Sequence, residues 1–469
     1  MAYPLSRRAF AAGAALLPFA PGMARAAAPS EPGPVNPTKA QPVNPLVRNR
    51  ADAQIMRVDG WYYMTGSVPE YDRLVLRRAR TLAGLTDAPE RVLWHHQASG
   101  PLSGFIWAPE LHRVDGRWVM YFAAGPSGGG ADVFRIRTWA VACEGPDPMT
   151  GNWQVLGQFN TPWDSFNLDS TSFVHRGRRW FCWAQREPGI ETNSNLYLAP
   201  MAGALRLAAA PVRLSVPELP WEIQGYKVNE APAFLAHGGR VFITYSASAT
   251  DARYCLGMVH ARADADLSSP ASWTKSPVPV FTTCAETGVY GPGHNAFTTD
   301  LDGAPMLVYH GRDYAEIKGD PLFDPNRHTR VQKLYFGADG MPDFGVPVGN
   351  GPLPDRFGAM GGGWLAHDGT ALRVGAGPLP QSQFRSLDAG NGTVRIAPIL
   401  LRDHAIAVGG DGTAALTLGE GSRFRRVPAG GRRIRLQPTD RPGWALAAGP
   451  DGRVTLARAG HPGTLWQLA

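Results

Sequence analysis

Residues 52–67 read DAQIMRVDGWYYMTGS, in which a polar residue leads into an apolar strand, an Asp-Gly turn follows, and an aromatic-rich strand completes the hairpin. The same arrangement recurs four times, beginning at Glu110, Asp169, Glu230 and His294, with leading residues 58, 59, 61 and 64 positions apart. Tight hairpins at a period near 60 residues, without helical periodicity, are typical of the four-stranded blades of a β-propeller. The sequence therefore predicts an all-β protein with a five-bladed β-propeller over residues 45–345.

The residue that leads each of these repeats is polar: Asp52, Glu110, Asp169, Glu230 and His294. In a propeller the innermost strands surround a central channel, so residues at their starts face one axis. A single polar residue at a strand end often only satisfies backbone groups, but five in register favour a shared site. We expect four carboxylates and one imidazole to converge in the channel.

These carboxylates suit one kind of chemistry. Cleavage of a glycosidic bond needs a carboxylic acid that protonates the leaving oxygen and a carboxylate on the opposite face of the sugar. Asp52, Asp169 and Glu230 can supply both groups, with one to spare. The spare is useful, because a nearby ionised carboxylate raises the pKa of the acid and keeps it protonated near neutral pH.

Six motifs within residues 45–345 together resemble glycoside hydrolase family 43: NRADAQI (49–55), IWAPELH (106–112), NLDSTSF (167–173), VNEAPAF (228–234), GPGHNAF (291–297) and NRHTRVQ (326–332). The resemblance implies a five-bladed propeller in which Asp52 is the general base, Asp169 modulates the pKa of the acid, and Glu230 is the general acid. It also implies inversion of configuration, with the carboxyl groups of Asp52 and Glu230 roughly 6.5–9.5 Å apart.

The same resemblance implies roles for further residues. Glu110 matches a residue near the bound sugar, and the alternative is a hydrogen bond that shapes the pocket wall. Arg330 matches an arginine that reaches the bound sugar, and the alternative is a surface ion pair. Trp107 is a candidate for stacking on the substrate, with a place in the core as the alternative. His294 is implied to lie beside a metal ligated through water, often calcium, although a lone His is more often structural. No organic cofactor is implied.

The C-terminal residues carry a different repeat. Three Asp-Gly pairs, each a strong hairpin signal, begin at Asp368, Asp411 and Asp451, which are 43 and 40 residues apart. Each hairpin is followed by an aromatic residue, at Phe384, Phe424 and Trp466. Threefold repetition near 40 residues predicts a β-trefoil over residues 346–469, with one buried aromatic per repeat.

The wording of these repeats, such as GSRFRRV (421–427), resembles arabinofuranose-binding modules. The usual Arg-His pair before the hairpin is absent or degenerate, and DHAIAV (403–408) is its nearest approach. By this resemblance the C-terminal domain is a candidate carbohydrate-binding module. Because the Arg-His pair is missing or degenerate, bracing of the propeller is the alternative.

The N-terminal residues predict export. Residues 1–28 contain the twin arginine of SRRAF, a short apolar run broken by Pro18 and Pro21, and small residues around a cleavage site. This pattern indicates a twin-arginine signal rather than a membrane span. The Pro-rich residues 29–44 then predict a flexible linker. We expect a bacterial protein that is periplasmic or extracellular and has no membrane span.

Charge and cysteine content exclude other classes. The formal net charge of +7 falls to +4 without the three leader arginines, because 43 basic and 39 acidic residues remain. The basic runs have no interleaved aromatic residues, which argues against a nucleic-acid partner.

The cysteines share no CxxC spacing, so metal ligation by them is not expected; a disulfide is compatible with export, but the pairing stays open. They are Cys143, Cys182, Cys255 and Cys284.

Within the family, this chain is most similar to exo-acting α-L-arabinofuranosidases in its ADAQI and VNEAPAF motifs and its C-terminal repeats. The resemblance implies an enzyme that releases terminal L-arabinofuranose from α-1,5-arabinan or arabino-oligosaccharides of the plant cell wall, and we expect a monomer. A β-xylosidase or an endo-arabinanase stays open, because loops set the depth of the pocket. A non-catalytic sugar-binding propeller is the alternative from another class, but a lectin has no need of an acid and a base facing one bond.

Overall fold

The structure, a computed structural model, describes residues 41–127 and 133–469. The predicted export signal and most of the predicted linker lie outside these residues. Within the described ranges, no helix is long and apolar enough to cross a membrane. The helices there are single 3-10 turns: η1 Ala83–Leu85, η2 Val133–Arg135, η3 Pro270–Ser272, η4 Pro321–Phe323, η5 Pro380–Ser382 and η6 Pro462–Thr464.

Five antiparallel sheets follow one another along the chain, and in each sheet consecutive strands pair in order. They form the five blades of a β-propeller, as the repeats predict. The first three blades are β2 Ala51–Val58, β3 Trp61–Ser67, β4 Arg73–Ala79 and β5 Arg91–His95; β6 Ile106–Val114, β7 Arg117–Ala124, β8 Arg137–Glu144 and β9 Asn152–Gln158; and β10 Asn167–His175, β11 Arg178–Gln185, β12 Asn195–Pro200 and β13 Val212–Ser215. The last two are β14 Asn229–His237, β15 Arg240–Ala247, β16 Cys255–Arg262 and β17 Thr274–Lys275; and β18 Tyr290–Thr299, β19 Pro305–Arg312 and β20 His328–Lys333.

The fifth blade is completed by the start of the described chain, which includes β1 Val43–Asn44. The Leu46 N–H donates to the Thr329 carbonyl (2.8 Å), and the Thr329 N–H donates to the Val47 carbonyl (2.9 Å). The Asn44 side chain donates to the Val331 carbonyl (2.8 Å) and accepts from the Val331 N–H (2.9 Å). The N-terminal segment thus lies beside β20 and closes the ring.

The second strand of each blade is buried along most of its length, as in β7 and β11. Each blade is packed between two others, so apolar residues are needed on both of its faces, and these strands read as continuous apolar runs without alternation. Stacked rings join neighbouring blades, as in Phe173 and Phe234, whose ring centroids are 3.8 Å apart. All four cysteines are buried and free, so none of them forms a disulfide.

The C-terminal residues form a set of short antiparallel hairpins around one apolar core. The three predicted aromatics, Phe384, Phe424 and Trp466, are each fully buried there. The strands of these hairpins are β24 Phe357–Ala359, β25 Trp364–Asp368, β26 Ala371–Gly375, β27 Phe384–Asp388, β28 Val394–Pro398, β29 His404–Val408, β30 Ala414–Leu418, β31 Phe424–Pro428, β32 Arg433–Pro438, β33 Trp444–Ala448, β34 Val454–Arg458 and β35 Trp466–Leu468. Before them, β21 Tyr335–Phe336 and β22 Pro342–Asp343 pair with each other, and β23 Gly351–Pro352 pairs with β1.

Candidate active site

Each innermost strand of the propeller has a bulge near its start. At every bulge the register of the strand pair shifts, and one residue adopts a left-handed conformation with φ between +43° and +55°. These five equivalent residues are Asp52, Ala108, Asp169, Ala231 and His294. The conformation costs a residue with a Cβ roughly 1–2 kcal/mol, and strain of this kind recurs at functional sites.

The bulges correct the register that the sequence repeats suggested. Glu110 and Glu230 are not equivalent to Asp52, because the left-handed positions of their blades are occupied by Ala108 and Ala231. Glu110 lies two residues after its bulge position, and Glu230 lies one residue before. Asp52, Asp169 and His294 are equivalent, as predicted.

The hairpin turns carry a signal that would have found this register. In each of the first four blades, both central residues of the first hairpin turn have positive φ. The first of these two residues is Asp59 in the first blade, Asp115 in the second, Arg176 in the third and Gly238 in the fourth. Positive φ at both central residues is the mark of a type I′ turn. Counting back seven residues from the first turn residue reaches the left-handed residue in all four blades.

Asp52 lies at the centre of the site and is 6% exposed. Its Oδ2 accepts from the Ser67 hydroxyl (2.5 Å), and its Oδ1 lies 3.3 Å from both Arg327 Nη1 and His294 Nδ1. Burial favours the neutral form of this carboxyl, but the Arg327 guanidinium opposes this effect, and the pKa of Asp52 lies well below its usual range. Asp52 is therefore an ionised carboxylate at neutral pH.

Side chains of neighbouring strands satisfy backbone N–H groups that the bulges release from the ladder. The Ala108 N–H donates to Ser67 Oγ (2.8 Å), the His294 N–H to Ser246 Oγ (2.7 Å), and the Asp52 N–H to His310 Nδ1 (3.2 Å). Buried N–H groups are rarely left without a partner. Ser67, Ser246 and His310 thus fix the backbone that presents the site.

The two imidazoles in the channel are neutral. His310 Nδ1 accepts the Asp52 N–H, so the ring proton lies on Nε2, and burial lowers the pKa of His310 to about 3. Burial also lowers the pKa of His294. Arg327 is consequently the cation that balances Asp52, and its other nitrogen, Nη2, donates to the Tyr71 hydroxyl (2.7 Å).

Asp169 and Glu230 form a pair of carboxyl groups that resist ionisation. Burial and the negative charges of Glu230 and Asp52 raise the pKa of Asp169 well above its usual range. Burial raises the pKa of Glu230 to about 7, although the Tyr254 hydroxyl, which donates to Glu230 Oε1 (2.8 Å), favours its ionised form. The pair therefore retains a proton near neutral pH, while Asp52 is ionised.

Glu110 is 7% exposed and its Oε2 lies 2.9 Å from His112 Nε2. Its charge acts on both Asp169 and His294, which places it with the other carboxylates in the channel. His294 Nδ1 also lies 3.8 Å from Asp169 Oδ2. The structure therefore brings together all five residues predicted to converge, although they occupy different register positions.

Trp107 is 8% exposed and belongs to an aromatic row beside Arg327. It stacks on Phe105 at 5.1 Å between ring centroids, and both rings meet Tyr71 edge-on at 5.9 Å. Phe105 in turn contacts Phe323, which is 56% exposed. The row leads from the buried Tyr71, which binds Arg327, to an exposed ring.

Arg330 forms an ion pair with an acid, which was the alternative to a contact with the sugar. Its side chain is fully buried, pairs with Asp313, and lies 3.5 Å from the Gly311 carbonyl. Arg327, from the same NRHTRVQ motif, is the arginine that binds Asp52. Arg327 and Arg330 are three residues apart in extended chain, so their side chains face opposite sides of it.

Five residues of the site were not anticipated: Arg327, Tyr254, His310, Ser67 and Tyr71. Arg327 lies in the NRHTRVQ motif three residues before Arg330, and the alternation of extended chain indicates that the two side chains face opposite sides. Tyr254 reaches Glu230 from the residue just before the third strand of the same blade, and its ring occupies the space left by Gly293, where a Cβ would lie 2.2 Å from the ring. No local pattern marks such a contact.

A directly ligated metal finds little support in the donor set. Residues 41–127 and 133–469 contain no group of three or more His, Cys, Asp or Glu side chains that could hold a metal ion. A metal beside His294 would need water as most of its ligands, which is the form the family resemblance implies.

Known proteins are similar to this chain. Residues 42–342 match the family described as Glycosyl hydrolases family 43. The "Extracellular exo-alpha-(1->5)-L-arabinofuranosidase" of Streptomyces avermitilis is 51% identical over 361 residues, which cover 75% of this chain and 74% of the relative. The "Alpha-L-arabinofuranosidase 43" of Humicola insolens is 49% identical over 360 residues, which cover 74% of each chain.

A solved structure is also similar. The crystal structure of an alpha-L-arabinofuranosidase from Lactobacillus brevis superposes with a TM-score of 0.64 at 47% identity, covering 66% of this chain and 98% of that chain.

Proposed function

The chain belongs to glycosyl hydrolases family 43 and is a glycoside hydrolase, and on this premise we propose the reaction that it catalyses. It releases terminal L-arabinofuranose from α-1,5-arabinan or arabino-oligosaccharides, with inversion of configuration. The observation that carries the mechanism is the contrast between two carboxyl groups of one site: Arg327 lies 3.3 Å from Asp52, whose pKa is lowered, whereas burial raises the pKa of Glu230 to about 7.

Glu230 is the general acid. Inverting hydrolysis needs a protonated carboxyl group at the leaving oxygen, because the departing sugar alcohol is a poor leaving group until it is protonated. With a pKa of about 7, Glu230 is largely protonated at slightly acid pH and still acidic enough to give up its proton. The Tyr254 hydroxyl stabilises the carboxylate that the transfer leaves behind.

Asp52 is the general base. Its low pKa keeps it ionised, and the Ser67 hydroxyl and Arg327 hold its carboxylate in one orientation. In this role it removes a proton from a water that attacks the anomeric carbon on the face opposite the leaving group, through an oxocarbenium-like transition state. Room for that water requires a carboxyl separation of roughly 6.5–9.5 Å between Asp52 and Glu230.

Asp169 tunes the acid and does not attack the sugar. Two carboxyl groups that face one another cannot both ionise at low cost, so each raises the pKa of the other. Glu110 extends this acidic wall, and Trp107 with its stacked neighbour Phe105 supplies an apolar wall for the sugar. Arg327, through Asp52 and Tyr71, orients the base side of the pocket.

The names of the relatives support the choice of substrate. Enzymes named exo-alpha-(1->5)-L-arabinofuranosidase share about half of their residues with this chain over three quarters of its length. An endo-arabinanase remains a weaker alternative, since an arabinan endo-1,5-alpha-L-arabinosidase of Aspergillus niger is only 22% identical over 51% of this chain.

A substrate panel tests this proposal. Purified protein is incubated with linear arabino-oligosaccharides, debranched arabinan, nitrophenyl arabinofuranoside and nitrophenyl xyloside, and proton NMR follows the anomer that first appears. We expect arabinose as the only small product, released first as the inverted β-anomer. A ladder of oligosaccharides would identify an endo-arabinanase, dominant xyloside cleavage a xylosidase, and the α-anomer a retaining mechanism.

The remaining features are proposals that the family resemblance and the repeats support. A calcium ion bound mostly through water beside His294 would add positive charge to an acidic channel. Residues 346–469 form a β-trefoil, a candidate carbohydrate-binding module, as the three Asp-Gly hairpins and the buried aromatics Phe384, Phe424 and Trp466 suggest. The twin-arginine signal exports the enzyme, and relatives are named extracellular.

A further inference from the structure

Exposed aromatic side chains are confined to one end of the propeller. Among the Phe, Tyr and Trp residues that the structure describes, three are exposed: Phe134 (38%), Tyr226 (57%) and Phe323 (56%). They lie between β7 and β8, between β13 and β14, and between β19 and β20, respectively. Because the strands of each blade are antiparallel and pair in order, these connections all lie at the end where the innermost strands begin. This is the end that carries the carboxyl groups, so the exposed rings indicate a binding face around the site.

Tyr226 lies beside the residue that is proposed as the general acid. It precedes Glu230 by four residues in the chain. Its neighbour Gly225 packs on Arg253, since a Cβ added to Gly225 would lie 3.0 Å from Arg253 Nη2. The residue after Arg253 is Tyr254, whose hydroxyl donates to Glu230 Oε1 (2.8 Å). Tyr226 is therefore connected to the acid both along its own chain and through the loop that carries Tyr254.

A buried carboxylate anchors the start of the loop that carries Tyr226. Glu222 has no exposed surface. Its Oε2 accepts from the Leu219 N–H (2.9 Å) and from Lys275 Nζ (2.7 Å). Its Oε1 accepts from the Tyr245 hydroxyl (2.8 Å) and from Asn229 Nδ2 (3.1 Å). Asn229 is the residue directly before the acid, so one buried group fixes both the loop and the strand that presents the acid.

Backbone hydrogen bonds hold the loop on both sides of the exposed ring. On one side, the Gln224 carbonyl accepts from the Ala249 N–H (2.9 Å), and the Gln224 N–H donates to Ser248 Oγ (3.0 Å). On the other side, the Lys227 carbonyl accepts from the Asn193 N–H (2.8 Å). The loop is thus ordered before any ligand arrives, and a preorganised surface loses less conformational entropy on binding.

The position of this ring suits the sugar that leaves during hydrolysis. The acid protonates the oxygen between the terminal sugar and the next one, so the next sugar departs past Glu230. A tyrosine presents a rigid apolar face and a polar tip, which suits a sugar whose C–H groups contact the ring while its hydroxyl groups stay in water. Phe323 instead contacts Phe105, in the aromatic row beside Arg327 on the side of the base.

We propose that Tyr226 binds the sugar on the leaving side of the scissile bond, and that this contact makes arabino-oligosaccharides better substrates. The inference rests on the proposed function, because it takes Glu230 as the general acid. It adds a residue that determines specificity on a loop outside the convergent carboxyl groups.

Steady-state hydrolysis of arabinotriose by the full-length protein tests this proposal. Tyr226→Ala removes the ring and Tyr226→Phe retains it. Val174→Ala is the control, because it shortens a side chain that is 55% exposed near the end of β10, at the opposite end of the propeller. Inhibition by free arabinose is measured in each protein, since this product occupies only the pocket of the terminal sugar.

We expect Tyr226→Ala to raise the KM for arabinotriose about three- to tenfold with kcat within about twofold of the wild-type value, because a contact made equally in the ground state and the transition state changes KM alone. Tyr226→Phe should restore most of the lost affinity, and inhibition by arabinose should be equal in all the proteins. An unchanged KM in Tyr226→Ala, an equal rise in Val174→Ala, or a loss of arabinose inhibition as large as the rise in KM would overturn the proposal.

Failure of the proposed function gives a different result. Wild-type protein that hydrolyses xylotriose in place of arabinotriose would overturn the proposed substrate, and the KM of Tyr226→Ala would then be compared with the wild-type value on xylotriose. Wild-type protein that hydrolyses neither trisaccharide would overturn both proposals.

Discussion

At the scale of single residues, the site works by holding similar groups in different protonation states. Asp52 has Arg327 at 3.3 Å and is ionised, whereas Asp169 and Glu230 form a buried pair that retains a proton near neutral pH. The residue types could be recognised from the sequence, because three carboxyl groups recur at blade spacing. Their pKa values could not, because Arg327 and Tyr254 reach them from distant parts of the chain.

The pH dependence of kcat/KM follows from these states. Activity needs protonated Glu230, so it should fall as pH rises through about 7, the pKa of Glu230. Asp52 stays ionised to low pH, so the acid limb should lie well below the usual range of carboxyl groups. Asp169→Asn removes the carboxyl group with which Glu230 shares a proton, so it should move the alkaline limb to lower pH by about one unit. An unmoved limb would mean that Asp169 does not tune the acid.

Tyr254→Phe should move the same limb in the opposite direction. The hydroxyl donates to Glu230 Oε1 and favours its ionised form, so its loss should raise the pKa of Glu230 by about one unit. Tyr62→Phe is the matched control, because the Tyr62 hydroxyl is buried without a partner. Equal pH profiles for the two variants would contradict the role of Tyr254.

At the scale of elements, the blades were predictable but the bulges were not. The period of about 60 residues and the Gly-containing turns identify five hairpins without further information. The side chains that reach the channel depend on bulges in the inner strands, one in each of the first four blades and two in the fifth. Asp52 occupies the left-handed position of its bulge, whereas Glu230 lies one residue before that position, which Ala231 occupies. Arg327 and Arg330 differ in their partners for a related reason, since a shift of three residues along extended chain reverses the face.

The N-terminal segment makes a second element-scale prediction. Asn44 is 2% exposed, and besides its two bonds to Val331 it donates to the Val348 carbonyl (3.2 Å). Asn44→Ala leaves these groups unpaired and should lower the free energy of unfolding by about 2–4 kcal/mol. Asn152→Ala, at an exposed strand position, should change it by less than about 0.5 kcal/mol. Urea unfolding followed by tryptophan fluorescence distinguishes them, and equal midpoints would contradict ring closure by this segment.

At the scale of the whole molecule, the channel gathers negative charge at one end of five sheets that otherwise bury apolar residues. If a calcium ion lies beside His294, chelation should lower the melting temperature, because a ligand that binds only the folded state stabilises it. Restoring calcium, but not sodium, should reverse the change. A melting temperature indifferent to chelator would leave His294 as a structural residue that bridges Asp52 and Asp169.

The central claim is that Glu230 protonates the leaving sugar while Asp52 activates water, and leaving-group dependence tests it most directly. Glu230→Gln is compared with the wild-type protein and with Glu191→Gln, an exposed control. The substrates are an arabino-oligosaccharide, whose departure needs a proton, and dinitrophenyl arabinofuranoside, whose departure does not. We predict that Glu230→Gln lowers kcat/KM on the oligosaccharide by about 10²–10⁴-fold but has much less effect on the aryl glycoside. Equal losses on both substrates, or unchanged turnover of the oligosaccharide, would contradict the account.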